Sequence, residues 1–298
     1  NFTTNTLTMK RTITTFLLAM ITIASYAQYP ATNIYVMDMT RVGQDYFKFT
    51  DPIFLNSDNV GGYNNQPSFI DDDQLMVTSQ RDGKQTDIYV YNFQNLKVTQ
   101  VTNTPEVSEF SPTMIPNENA FSTVNIEKDG KTQRMWRYEF DVEKEGSVLT
   151  KDVENIGYYE WLENGKAALY IIANPSNLEI INVNTQKTVR YATNIGRCVK
   201  RMSNGDLCYV EKSESGWILK RLDIRNLDIV TIAPTLIDCE DFAILPDDTI
   251  LMGKGDKIYK LRADDEKQWS IIGDFKNFNV KKITRIAVRK GKIAFVGS

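Results

Sequence analysis

The 298-residue chain contains no histidine, so the commonest general base and transition-metal ligand is absent. Any site chemistry falls to carboxylates, amides, phenols and guanidinium groups. Nine such residues stand out by position: Asn65, Gln66, Glu109, Tyr158, Glu160, Arg197, Glu240, Asp241 and Arg285. A ring that mixes Arg with carboxylates, amides and a phenol suits a polar peptide or a small charged ligand. The same groups also suit mutual satisfaction around a water-filled shaft. Glu109, Glu160, Glu240, Asp241 and Asn65 further offer oxygens to Ca²⁺, which takes about six to eight of them, although Arg197 and Arg285 in the same ring repel a cation.

Other chemistries lack their residues. No two glycines stand four apart, which removes the G-x-S-x-G nucleophile turn, and G-x-G-x-x-G and the phosphate-binding loop are missing too. Asp71-Asp72-Asp73 lacks the spaced ligands and terminal Glu of a helix-loop-helix calcium site and is expected to be a solvated turn.

The nine residues matter because of the turns that follow them. Six short polar turns each interrupt apolar, strand-like sequence: "DDDQ" at 71, "PNEN" at 116, "ENGK" at 163, "SNGD" at 203, "PDDT" at 246 and "RKGK" at 289. The apolar run resumes at Leu75, Ala120, Ala167, Leu207, Ile250 and Ile293, separations of 45, 47, 40, 43 and 43 residues. Four short strands with their turns consume about 40–45 residues, the period of a propeller blade. The expected fold is therefore all-β, a six-bladed β-propeller of four-stranded blades.

Within the first unit the strands read as Pro67 to Ile70, Leu75 to Ser79, Asp87 to Phe93 and Lys97 to Thr102. "RDGK" is the hairpin between the second and third, with Asp82-Gly83 at its tip, and "EKDGKTQRMWRYEF" at 127 to 140 repeats the device. The chain stops two strands into its last blade. "NIYVMDM" at 33 to 39 matches "DIYVYNF" at 87 to 93, and "PIFLN" at 52 to 56 follows as an outermost strand, so N-terminal strands close that blade in a two-plus-two arrangement. Thr40 to Thr50 is a candidate elaboration or loop. Aligned on the turns, Gln66, Ser111, Tyr158, Cys198, Asp241 and Arg285 fall at one level of the first strands. Asn65, Arg197 and Glu240 come one residue earlier, Glu109 lies just outside and Glu160 just inside.

Met9, Lys10 and Arg11 precede an apolar run from Ile13 to Ala24 and the small-x-small triplet Ser25-Tyr26-Ala27. This reads as a signal peptide cleaved near Ala27-Gln28, with residues 1 to 8 upstream of the start. The run is too short to anchor comfortably in a bilayer and no Cys follows it to accept lipid. The expected product is residues 28–298, a single propeller domain, periplasmic or secreted, with no membrane span. The formal charge of −3 supplies no field for phosphates, so nucleic acid is not an expected partner. A two-residue hairpin at Asn204-Gly205 would set Cys208 opposite Arg201, with Cys198 on the other face, making the two poor disulfide partners.

The succession of "QPSF", a polar turn, "VTSQRDGKQTDIYVYN" and "VTQVTNT" resembles the TolB-like family of six-bladed periplasmic propeller repeats. The likeness is specific over residues 64 to 150, partial over 33 to 56 and weak after about 155. In that family the propeller follows a small α/β domain and binds an envelope lipoprotein at its channel mouth. Only a few residues separate Gln28 from the first strand here, so that domain is expected to be lacking. The resemblance implies the fold; the polar ring at the channel mouth gives the preferred expectation, a non-catalytic scaffold or sensor whose partner is an envelope protein or peptide, or a small polar ligand, with no cofactor. The alternative is a Ca²⁺-dependent hydrolase similar to the six-bladed lactonases, which hold the ion on channel carboxylates and amides.

Overall fold

In the computed structural model, which describes residues 29–43, 46–81, 83, 85–262 and 268–298, six antiparallel sheets form the blades of a propeller. The expected leader and its expected cleavage point lie outside the described residues. Blades 1 to 5 run in chain order from an inner to an outer strand, and the inner strands are arranged around the axis. Those inner strands are Tyr63–Phe69, Ser108–Met114, Ile156–Trp161, Ile195–Arg201, Phe242–Ile244 and Ile283–Arg289, for blades 1 to 6. No helix among the described residues is long and apolar enough to cross a membrane.

The second strands are buried on both faces, which is why they read as continuous apolar runs rather than alternations. In blade 1, Leu75 and Val77 pack against Ile34, Val36, Ala294 and Val296 of blade 6. Met76, between them in sequence, faces Phe121 and Tyr138 of blade 2. One strand thus serves two cores, and the hydrophobic clusters lie between blades rather than at a common centre.

Blade 6 is closed by both ends of the chain. Asn33–Val42 pairs with Lys292–Gly297, from Asn33 opposite Gly297 to Asp38 opposite Lys292. Thr40 to Thr50 is more than a loop. The closing strand continues through Val42, turns at Gly43 and returns as Tyr46–Phe49, paired with Met39 to Val42. Ile53–Phe54 then pairs with Val36 and Tyr35, so the outer edge is one interrupted strand.

Two local expectations need comment. Gly83 has the positive φ of 67° expected at the blade 1 hairpin, while Asp82 is outside the described residues. Cys208 stands opposite Lys200 and not Arg201. The turn after Ile195–Arg201 has three residues, with Met202 N–H bonded to the Asp206 carbonyl and Gly205 at φ 90°. That extra residue changes the parity, so Cys198 and Cys208 share one apolar cluster. All three cysteines are free thiols.

Candidate functional site

Five of the six inner strands slip register at nearly the same level, between Asn65 and Ser68, Phe110 and Thr113, Ile156 and Tyr158, Ile195 and Val199, and Ile283 and Arg285. A bulge bends a strand and re-aims its side chains. Gln66 and Ser111 take left-handed backbone angles there, φ 55° and 54°. Their strain is matched by local bonds. Asn65 Oδ1 accepts the Gln66 N–H at 2.8 Å, and Gln66 Oε1 accepts the Ser111 N–H at 2.8 Å, joining blade 1 to blade 2.

On the other side of the axis the same level is charged. Arg197 Nε donates to Asp241 Oδ2 at 2.9 Å, and its Nη2 reaches the same oxygen. Arg285 Nη1 donates to Asp241 Oδ1 at 3.2 Å and Nη2 to the Tyr158 hydroxyl at 2.8 Å. Tyr158 belongs to blade 3 and Arg285 to blade 6, so this last bond spans the axis. Asp241 and Arg285 keep only 10% and 15% of their side chains exposed. Burial, the largest single influence, would lower the affinity of both guanidinium groups for their proton, but the Asp241 charge together with Tyr158 and the other neighbouring acidic groups outweighs it and holds them more firmly protonated than usual.

Beyond this belt, toward the turns that follow the inner strands, lies a cavity of about 350 Å³. Gln66, Tyr158, Arg197, Asp241 and Arg285 line it at the belt, and Glu160, Lys200, Arg201 and Arg289 line it nearer the turns. Lys200 Nζ meets Glu160 Oε2 at 2.9 Å, Arg289 Nε meets Asp72 Oδ1 at 3.0 Å, and Arg201 pairs with Glu163.

Six of the nine residues singled out in the sequence therefore line one cavity. Asn65 and Glu240 stand behind the belt as supports: Glu240 Oε2 accepts the Arg197 backbone N–H at 3.0 Å and meets Lys212 Nζ at 2.7 Å. Glu109 does not reach the cavity. It has no exposed surface and lies between blades 1 and 2, bonded to the Thr104 hydroxyl, because it precedes the bulge and so faces the neighbouring blade. Lys200, Arg201 and Arg289 were missed. Their signal was alternation: Arg289 follows Arg285 by four residues and Lys200 follows Cys198 by two, offsets that return a strand residue to the same face.

Among the described residues, no three His, Cys, Asp or Glu side chains gather where they would hold a metal ion. The channel carboxylates Glu160, Glu240 and Asp241 each carry a cationic partner instead.

The architecture is shared widely among solved structures. A TolB-type protein from Agrobacterium tumefaciens is 9% identical with a TM-score of 0.65, over 90% of this chain and 98% of that one. TolB from Acinetobacter baumannii is 12% identical with a TM-score of 0.61, over 82% of this chain. The fold is that of the TolB-like six-bladed propellers. The present chain matches 64% of the length of the Acinetobacter protein. The TolB-like fold is also similar to a gluconolactonase from Xanthomonas campestris, 8% identical with a TM-score of 0.62, over 92% of this chain and 98% of that one. No protein-family model and no curated protein matches the sequence.

Proposed function

We propose that this chain is an exported, non-catalytic propeller that binds a protein, peptide or small polar ligand at its channel mouth, as an envelope scaffold or sensor. The observation that carries this reading is the convergence of Tyr158, Arg197, Asp241 and Arg285, from four blades, on the floor of one open cavity. Binding sites of propellers are built from the axial ends of many blades at once, and a polar floor under an open mouth orients a ligand. The likenesses to TolB structures and to a gluconolactonase, at 8–12% identity, carry the fold alone, so the binding role rests on the cavity. The pairing of each channel carboxylate with a cation weighs toward ligand binding and away from a calcium-dependent hydrolase.

The test is capture by crosslinking from an envelope extract, using the tagged protein beside an Arg197→Ala/Asp241→Ala variant that removes both members of a pair. The expected result is a partner recovered by the wild type and lost from a variant with an unchanged circular dichroism spectrum. Equal recovery by both proteins refutes the channel-mouth assignment.

A further inference from the structure

We infer that the cavity beyond the belt takes a small polyanion, with one of its oxyanion groups seated on Arg285. This rests on the channel-mouth reading above and names the chemistry of its ligand. The chain as a whole carries an excess of acid, with a formal charge of −3. The cavity reverses that sign. Its lining holds Arg197, Lys200, Arg201, Arg285 and Arg289 against Glu160 and Asp241.

A second cavity of about 350 Å³ adjoins it, sharing Arg201 and Arg289, and adds Lys290 and Lys292 with no acid in its lining. The two together form a basic track from the outer surface to the belt. Lys200, Arg197 and Arg285 pair with Glu160 and Asp241 on the wall itself, but the partners of Arg201 and Arg289 lie outside the cavities and in water: Glu163 is 70% exposed and Asp72 is 56% exposed. Charges so placed are screened, whereas those on the cavity wall face a confined space where a field is focused.

The belt itself supplies the docking group. Arg197 and Arg285 divide one carboxylate, each taking a different oxygen of Asp241, and Arg197 has Glu240 Oε1 at 3.6 Å besides, so that Asp241 is the carboxylate Arg285 must share. Arg285 spends one N–H on Asp241 and one on Tyr158. A guanidinium has five N–H donors, so three of its N–H groups have no acceptor among the described residues. A partly used guanidinium on the wall of a basic cavity matches a carboxylate or phosphate group, which accepts charge-assisted N–H bonds. Further anionic groups on the same molecule reach Lys200, Arg201 or Arg289 on the wall. A single anion lacks that second contact, and for that reason the occupant is assigned as polyvalent.

The experiment is titration calorimetry at low salt with citrate and with pyrophosphate, using acetate as a monovalent control. The proteins are the wild type, Arg285→Gln, and an Arg289→Gln/Lys290→Gln variant in the rim, where substitution does not disturb the belt. Wild type is expected to bind citrate or pyrophosphate saturably and acetate at least about tenfold more weakly, since a charge-assisted hydrogen bond carries roughly that factor. Arg285→Gln is expected to lose about tenfold, and the rim variant a few-fold with a shallower salt dependence. The tighter of the two polyanions tells a carboxylate ligand from a phosphate ligand. Absence of saturable binding by either polyanion overturns the inference, as does equal affinity in wild type and both variants. If neither anion binds while partner capture still depends on Arg197 and Asp241, the anionic ligand is wrong and the channel-mouth reading stands. If capture is also unaffected, both fall.

Discussion

Arg285 and Tyr158 come from blades that face each other across the axis, and the 2.8 Å hydrogen bond between them closes the channel at the level of the inner-strand bulges. The guanidinium also lies 4.9 Å from the Tyr158 ring centre and is bound to Asp241 from blade 5. The three side chains thus tie opposite walls of the ring.

Tyr158→Phe keeps the ring and removes only the acceptor. A hydrogen bond to a charged group contributes about 1.5–3 kcal/mol, and the open cavity beneath lets water replace part of it. The expected loss is about 1–2 kcal/mol in urea unfolding, with an unchanged dependence on urea concentration. A variant as stable as the wild type would show that the cross-axis bond does not brace the ring.

Closure of blade 6 is testable by one core residue. Phe295 has no exposed surface, and its ring centre lies 5.2 Å from those of both Tyr35 and Phe275. Tyr35 lies in the N-terminal closing strand and Phe275 follows the outer strand of blade 5, so a cavity at Phe295 loosens three chain segments together. Phe295→Ala is expected to lose about 3–5 kcal/mol. Ile53→Ala, at a position 43% exposed on the outer edge, is the control, with a change within about 0.5 kcal/mol. Equal effects of the two substitutions would refute the two-plus-two seam as a source of stability.

The blade count was legible because each polar turn had to follow an inner strand, so six turns at 71, 116, 163, 203, 246 and 289 marked six blades without reference to any side chain. The belt was legible to within one residue for the same reason. What the turns do not encode is the parity of the strand before them. An inner-strand bulge inserts residues without leaving a signature in composition, and beyond it the faces exchange. Glu109, on the far side of the Phe110 to Thr113 bulge, consequently turned away from the cavity. Cys208 moved by one partner for a related reason, because Asn204-Gly205 is compatible with loops of two or three residues. The direction in which the channel opens depends on which side chains meet across the axis, and Arg285 with Tyr158, 127 residues apart, is a meeting that no local pattern reports.

The thiols give a chemical check on that register. Burial pushes the Cys198 thiol up to about 12 and Cys208 well above its usual value, so neither forms the thiolate that reacts. Cys239 is only partly buried. An aromatic disulfide reagent at pH 8 is expected to titrate Cys239 alone in the native protein and all three thiols in denaturant. Fewer than three thiols under denaturing conditions would reveal a disulfide, and rapid native reaction of Cys198 or Cys208 would contradict their shared apolar setting.

Asp87 and Glu109 give the fold a pH dependence of definite sign. Burial raises Asp87 to about 6, against hydrogen bonds from the Thr104 backbone and the Gln85 side chain that favour its charged form. Burial also raises Glu109 well above the usual carboxylate range, and the neighbouring Asp87 charge adds to it, with Thr104 and Thr102 opposing. The other titratable group facing the pair is Tyr138, whose hydroxyl lies 3.5 Å from Glu109. Both folded-state values lie above the unfolded ones, so the folded protein retains protons that the unfolded chain has released. The stability linked to this pair is full below about pH 4 and falls as pH rises through about 6. Asp129 and Asp223, each lowered to about 2 by hydrogen bonds, give the opposite slope, but only at more acid pH. Urea midpoints measured from pH 5 to 7.5 should therefore decline in the wild type and stay level in Asp87→Asn/Glu109→Gln, which carries the neutral forms at every pH. The double variant should also be the more stable protein at pH 7.5. Parallel slopes for the two proteins would mean that the pair titrates at ordinary values, and that Glu109 is reached by water.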